Sequence, residues 1–210
     1  MNSPNLFPIF LKAKGRRCLV VGGGAVAEEK IRGLLAAGMM PTVVSPEVTP
    51  TIALWARDLL IRWEQRNFRE DDLNGTSLVI AAQSQPSANT LIYRAASAAN
   101  VLCNAVDDPE HCDFYYSAVV RRGPLQIAIS TSGLSPALAQ RLRGELEERY
   151  PPEYSGWVEE LGAIRCELKK LPMDTELRRW LLHLYADDSA FQRFLCESSA
   201  AVTHTLEDAS

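Results

Sequence analysis

Residues 18–29 read CLVVGGGAVAEE, a short apolar run that stops on three consecutive glycines and passes straight into helix-forming residues. A strand that turns through glycine and opens a helix leaves the first N–H groups of that helix without intrahelical acceptors, pointing at whatever lies ahead. Phosphate suits that place. Gly22, Gly24 and Ala27 satisfy G-x-G-x-x-[GA] in this context. The first glycine allows the turn, the second lets a pyrophosphate reach the backbone, and the small third residue lets helix pack on strand. A glycine-rich turn without a ligand could carry the same letters, so the flanking elements carry the assignment.

Working outward, residues 17–21 have the pattern of a buried strand. Residues 25–37 carry Val26, Ile31, Leu34 and Leu35 at helical spacing until Gly38 stops them. Residues 41–45 form the next strand, which makes a right-handed βαβ unit. The alternation continues with a helix over 51–60, strands over 61–64 and 77–82, an alanine-rich helix over 86–99 and a strand over 101–106. Such alternation predicts a Rossmann-like, doubly wound parallel sheet whose ligands sit beyond the carboxyl ends of its strands. The fingerprint also asks for an acid about 20 residues on, for the ribose. Here the second strand ends in Ser45-Pro46 with Glu47 just beyond, so that neither a clean acid for NAD nor an arginine for a 2′-phosphate stands there, and backbone groups of residues 45–47 are expected to hold the adenosine. NAD is expected rather than NADP.

After Asp113 the pattern changes. Residues 114–120 and 125–130 are β-rich and flank Arg121-Arg122-Gly123-Pro124, the chemistry of an antiparallel hairpin. Ser135 and Pro136 are an N-cap and a first-turn proline for a helix reaching about Tyr150. Three amphipathic helical patterns follow, broken at Pro172 and at Asp187-Asp188, with Trp157, Trp180, Leu181 and Phe194 as expected bundle core. His183 falls on a helix face and His204 in a polar tail expected to fray. Three regions result: 1–113 a dinucleotide-binding domain, 114–150 a small β-containing central segment, and 151–210 a helical C-terminal domain.

The balance of 22 basic against 26 acidic residues, net charge -4, argues against nucleic acid, which needs a basic face. No run approaches the length of a membrane span, and the N-terminus lacks the pattern of a secretory signal. Five cysteines without a C-x-x-C pair fit reduced thiols and a cytoplasmic protein. Cys103, His111, Cys112 and Asp113 could ligate a metal, but their spacing matches no structural zinc pattern, so none is expected.

Four segments in order carry a resemblance: FPIF at residues 7–10, VVGGGAVAEEKIRGLLAAGMMPTVVSP at 20–46, LCNAVDDPEHCDF at 102–114 and LQIAISTSGLSPALAQRLR at 125–143. Together they resemble the N-terminal module of siroheme synthase and the free-standing precorrin-2 dehydrogenases. The resemblance implies NAD-dependent oxidation of precorrin-2 to sirohydrochlorin, in some members also insertion of ferrous iron, and a homodimer built through the central segment. It implies that uroporphyrinogen methylation, the task of a further domain in the longer members, belongs to another protein.

The resemblance also assigns residues. Its shared aspartate falls in Asn104-Ala105-Val106-Asp107, where Asp107 would accept a proton as hydride leaves the tetrapyrrole; a loop cap is the alternative. Its cofactor positions are Gly24, Ala25, Val26, Pro46 and Glu47. A substrate rich in carboxylates needs local cations, and Arg121, Arg122, Arg141 and Arg143 stand in segments the family places around the cleft, beside Asn104, Ser130 and Thr131. A solvated hairpin tip and helix face is the alternative for the arginines. Two positions depart from the family pattern: Gln83-Ser84 stands where Thr-Asp is usual, and Thr131 stands where a phosphorylatable serine aligns. From another class, a non-catalytic NAD-sensing module would share the glycine loop. The absence of a recognition helix or basic stretch speaks against one acting on DNA.

Overall fold

The structure is a computed structural model that describes residues 5–207, with side chains through 197. The chain divides into two compact units, Leu6–Tyr116 and a second beginning at Ser117.

In the first unit the sheet is built from β1 (Cys18–Val21), β2 (Thr42–Val44), β3 (Arg62–Glu64), β4 (Leu78–Ala81) and β5 (Leu102–Ala105). All pairs are parallel, in the order β3-β2-β1-β4-β5. Every residue of β1 and β4 is buried, as befits central strands covered on both faces. The two-residue period of a strand divides them cleanly. Cys18, Val20, Leu78 and Ile80 join Ile31 and Leu34 of α1 (Ala25–Ala36) and Ile52 of α2 (Pro50–Arg57) on one face. Leu19, Val21, Val79 and Ala81 meet Ile92 and Ala96 of α3 (Pro86–Ala98) on the other. Each of the Val, Leu and Ile side chains among them contributes about 1.5–3 kcal/mol by leaving water.

Helix α1 stops where the sequence says it must. Gly38 takes φ +74, its N–H donates to the Leu35 carbonyl, and the Met39 N–H donates to the Leu34 carbonyl at 3.0 Å. The left-handed glycine closes both carbonyls and buries Met39 beside Leu34.

The second unit holds the antiparallel pair β6 (Ala118–Arg122) and β7 (Leu125–Ile129), then α4 (Pro136–Arg149), α5 (Tyr154–Lys170), α6 (Thr175–Tyr185) and α7 (Asp188–Glu207). Ser135 caps α4 as expected, its Oγ accepting from the Leu138 N–H. Three expectations need correction. The first hairpin strand is not 114–120: Gly123 at φ +53 makes so tight a turn that Arg121 and Arg122 pair with Gln126 and Leu125, while Phe114 packs on the first unit's core. Trp180 is 59% exposed rather than core, while Phe191 of α7 is buried against the rings of Tyr154 and Trp157. The tail continues the helix through Glu207; His204 lies there, its side chain outside the described residues.

Candidate dinucleotide and substrate site

Strand order reverses between β1 and β4, and there the carboxyl ends of β1, β2, β4 and β5 open into a cleft of about 610 Å³. The glycine loop forms its floor. Gly22 leaves the sheet with its N–H donating to the Val44 carbonyl and takes φ +132, where a Cβ would overlap the Ala82 carbonyl. A Cβ on Gly23 would overlap the Glu47 carbonyl, and the Gly23 carbonyl accepts from the Thr49 N–H at 2.9 Å. Gly24 differs, for a Cβ there meets nothing within 4 Å. Gly24 also begins α1 with no side chain capping the first turn. An open cradle beneath uncapped helical N–H groups fits a pyrophosphate, which would lie against Gly24, Ala25 and Val26.

At the end of β2, the buried Ser45 donates from Oγ to the Glu47 carbonyl at 2.6 Å, turning the chain so that Glu47 lines the cleft. Pro46 is exposed and does not line it. Thr49 caps α2 and donates from Oγ1 to Glu28 Oε2 at 2.7 Å, fastening this turn to α1. Across the cleft, buried Asn89 brackets Gln83, accepting from its N–H at 2.9 Å and donating to its carbonyl at 3.1 Å. That clamp holds the Gln83-Ser84 edge. Gly23, Thr49 and Asn89 were not among the residues expected from sequence. The middle glycine of three and a polar residue on the buried face of a helix were the available signals.

Asp107 follows β5 and borders the same cleft, exposed, at φ +59. Among the described residues its carboxylate accepts no hydrogen bond. An aspartate in the left-handed region costs roughly 1 kcal/mol. The loop is tied by its neighbours instead. Asp108 Oδ2 lies 2.6 Å from His111 Nδ1, and Asp113 Oδ2 accepts from the Cys103 N–H at 2.8 Å. Asn104 is buried and donates from Nδ2 to the Phe114 carbonyl at 2.8 Å. Burial pushes the Cys18 and Cys103 thiols up to about 12, which keeps them protonated and inert. Among the described residues, no three His, Cys, Asp or Glu side chains gather around a metal-sized space.

The remaining expected residues lie in the second unit. Arg122 reaches the end of α4, donating from Nε to the Tyr150 carbonyl at 2.7 Å and from Nη2 to the Glu147 carbonyl at 3.0 Å. Arg141 pairs with Glu145 at 3.2 Å and Arg143 with Glu147 at 3.8 Å, one turn on. Arg121 is exposed, its guanidinium without an acceptor among the described residues. Ser130 Oγ accepts from the Ser132 N–H and Thr131 Oγ1 from the Ser135 N–H, both at 3.1 Å, shaping the turn before α4.

A parallel sheet with a glycine-floored cleft at its switch point defines a dinucleotide-binding protein of the Rossmann class. A family described as putative NAD(P)-binding matches residues 9–118, and the family described as the sirohaem biosynthesis protein central region matches residues 122–149. Siroheme synthase of Neisseria meningitidis serogroup B is 40% identical over 177 residues, covering 84% of this chain and 37% of that protein. Siroheme synthase of Thioalkalivibrio sulfidiphilus is 36% identical over 206 residues, covering 98% of this chain and 42% of its own length. The chain spans about two fifths of the length of these relatives. The solved structure of SirC, a precorrin-2 dehydrogenase, superposes with a TM-score of 0.73 at 27% identity, covering 91% of this chain and 98% of that one. The chain belongs to the family formed by precorrin-2 dehydrogenases and the N-terminal modules of siroheme synthases.

Proposed function

We propose that the chain oxidises precorrin-2 to sirohydrochlorin with NAD as oxidant. The observation that carries this reading is an unpaired carboxylate, Asp107, on the rim of the cleft whose floor is the glycine loop. Bound NAD would supply the hydride acceptor. Gly22, Gly24, Ala25 and Val26 would receive its pyrophosphate, and the Glu47 carboxylate would meet ribose hydroxyls and repel a 2′-phosphate. Losing a hydride and a proton from the tetrapyrrole requires a base at the rim, and Asp107 takes that proton. Asp108 and Asp113 already tie the loop, which favours this role over a cap. If iron insertion also occurs, Fe²⁺ is a substrate and the same carboxylate accepts the pyrrole protons. The purified chain, given NAD and precorrin-2, should produce NADH and the sirohydrochlorin chromophore together; NADH absent from such a mixture refutes the reading.

The working form is proposed to be a homodimer made through the central segment 114–150 and the helices of 151–210. Leu177, Trp180 and Leu184 form an exposed apolar stripe along α6, the kind of surface that finds a partner. Light scattering at micromolar concentration should give about twice 23.2 kDa, and a monomer mass would refute it. A cytoplasmic place is supported by five free cysteines and by the finding that, among the described residues, no helix is long and apolar enough to cross a membrane.

A further inference from the structure

A smaller cleft of about 170 Å³ adjoins the first, sharing Val106 and Asp107 as walls and bounded by Lys30, Tyr115 and Tyr116. We infer that Lys30 anchors a carboxylate of the substrate in this second cleft and so positions the tetrapyrrole against Asp107. The inference rests on the proposed oxidation of precorrin-2 and names a substrate-binding residue for it.

The Lys30 side chain is only 19% exposed, and its Nζ stands 4.5 Å from the centroid of the Tyr116 ring. Its nearest acid is Glu29, at 3.9 Å, with a carboxylate 77% exposed. At that distance and exposure an ion pair does little. Among the described residues the ammonium has no hydrogen-bond acceptor. A cation drawn partly out of water with its donors unmatched is costly unless an anion joins it. The acids nearby leave that place open, for Asp108 is occupied by His111 and Asp107 makes no ion pair with Lys30. The Tyr116 ring supplies a π face and no charge, since burial raises its hydroxyl above the ordinary range.

The charge pattern agrees. An acidic substrate approaching Asp107 and Asp108 meets repulsion, and among the described residues Lys30 is the one cation that lines the two clefts. Position on the helix completes the argument. Val26, which borders the first cleft, and Lys30, which borders the second, are one turn apart on the same face of α1. The helix whose N-terminus faces the dinucleotide thus carries, one rigid turn on, the group that fixes the substrate.

Binding of uroporphyrin, a stable polycarboxylate porphyrin, read by fluorescence quenching, tests this apart from turnover. Lys30→Gln should weaken uroporphyrin binding about tenfold or more and leave NAD affinity unchanged. Lys30→Arg, which keeps the charge, should recover most of the loss. In the oxidation assay Lys30→Gln should raise KM for precorrin-2 far more than it lowers kcat. The inference is overturned if Lys30→Gln binds uroporphyrin as the unaltered chain does, if NAD affinity falls in step, or if Lys30→Arg is as weak as Lys30→Gln. Should the unaltered chain bind uroporphyrin through Lys30 yet oxidise no precorrin-2, the oxidation reading falls and the anchor stands. Should it bind no uroporphyrin, the anchor falls whatever the turnover.

Discussion

Gly24→Asp is expected to fold with an almost unchanged melting temperature and to lose NAD binding by at least about a hundredfold, because a carboxylate set beside a pyrophosphate at roughly 4 Å costs about 4 kcal/mol per pair of unit charges at the effective dielectric of a protein surface. The space beside Gly24 is open, so the fold has no reason to object. Gly22→Ala should behave in the opposite manner. Its Cβ would overlap the Ala82 carbonyl from a backbone at φ +132, so that variant loses stability first and binding as a consequence. Calorimetric titration of NAD alongside thermal unfolding of both variants distinguishes the two effects. A folded Gly24→Asp chain with full NAD affinity would remove the pyrophosphate from the loop.

The second large effect is at Asp107. Asp107→Asn keeps a residue that tolerates φ +59 and removes only the basic carboxylate. Oxidation of precorrin-2 should fall about 100- to 10,000-fold, the usual span for a lost general base, while NAD affinity stays within a few-fold. Asp107→Ala should do the same with a small added cost in stability, and any iron insertion should suffer at least as much as oxidation. Single-turnover rates and NAD titrations on the same preparations decide among three roles. Normal rates in both reactions would reduce Asp107 to a structural residue, and lost NAD affinity would make it part of the cofactor site.

The sheet of the first unit was legible because each buried strand is bracketed by its own punctuation. CLVV runs into glycine, and LVIA is framed by Thr76-Ser77 and Gln83-Ser84. Parallel central strands leave little ambiguity, since both faces must be apolar. Chain-local signals are weaker past Asp113. Phe114, Tyr115 and Tyr116 have strand-forming side chains, but β propensity reports a fit to a half-buried surface rather than a pairing partner. Trp180 has the periodicity of a core residue, and only the placement of Phe191 shows which aromatic takes the inside. Within the site, the floor was visible and its supports were not. That Gly23 interlocks with residues 47–49, or that Asn89 clamps Gln83, depends on contacts between segments distant in sequence. Arg122 shows the converse: its letter suggests a ligand, and its geometry spends it on the carbonyls that end α4.

The pairing of β1 with β4 also couples the folding of the chain to its ligand. Its two sides are Cys18–Val21 and Leu78–Ala81, so the floor and far wall of the cleft meet only after a long stretch of chain has closed between them. The unfolded chain therefore has no dinucleotide site at all. A ligand that recognises only the folded form stabilises it by mass action, by about 2.7 kcal/mol at a hundred times its dissociation constant. Resistance to proteolysis should then rise with the concentration of free dinucleotide.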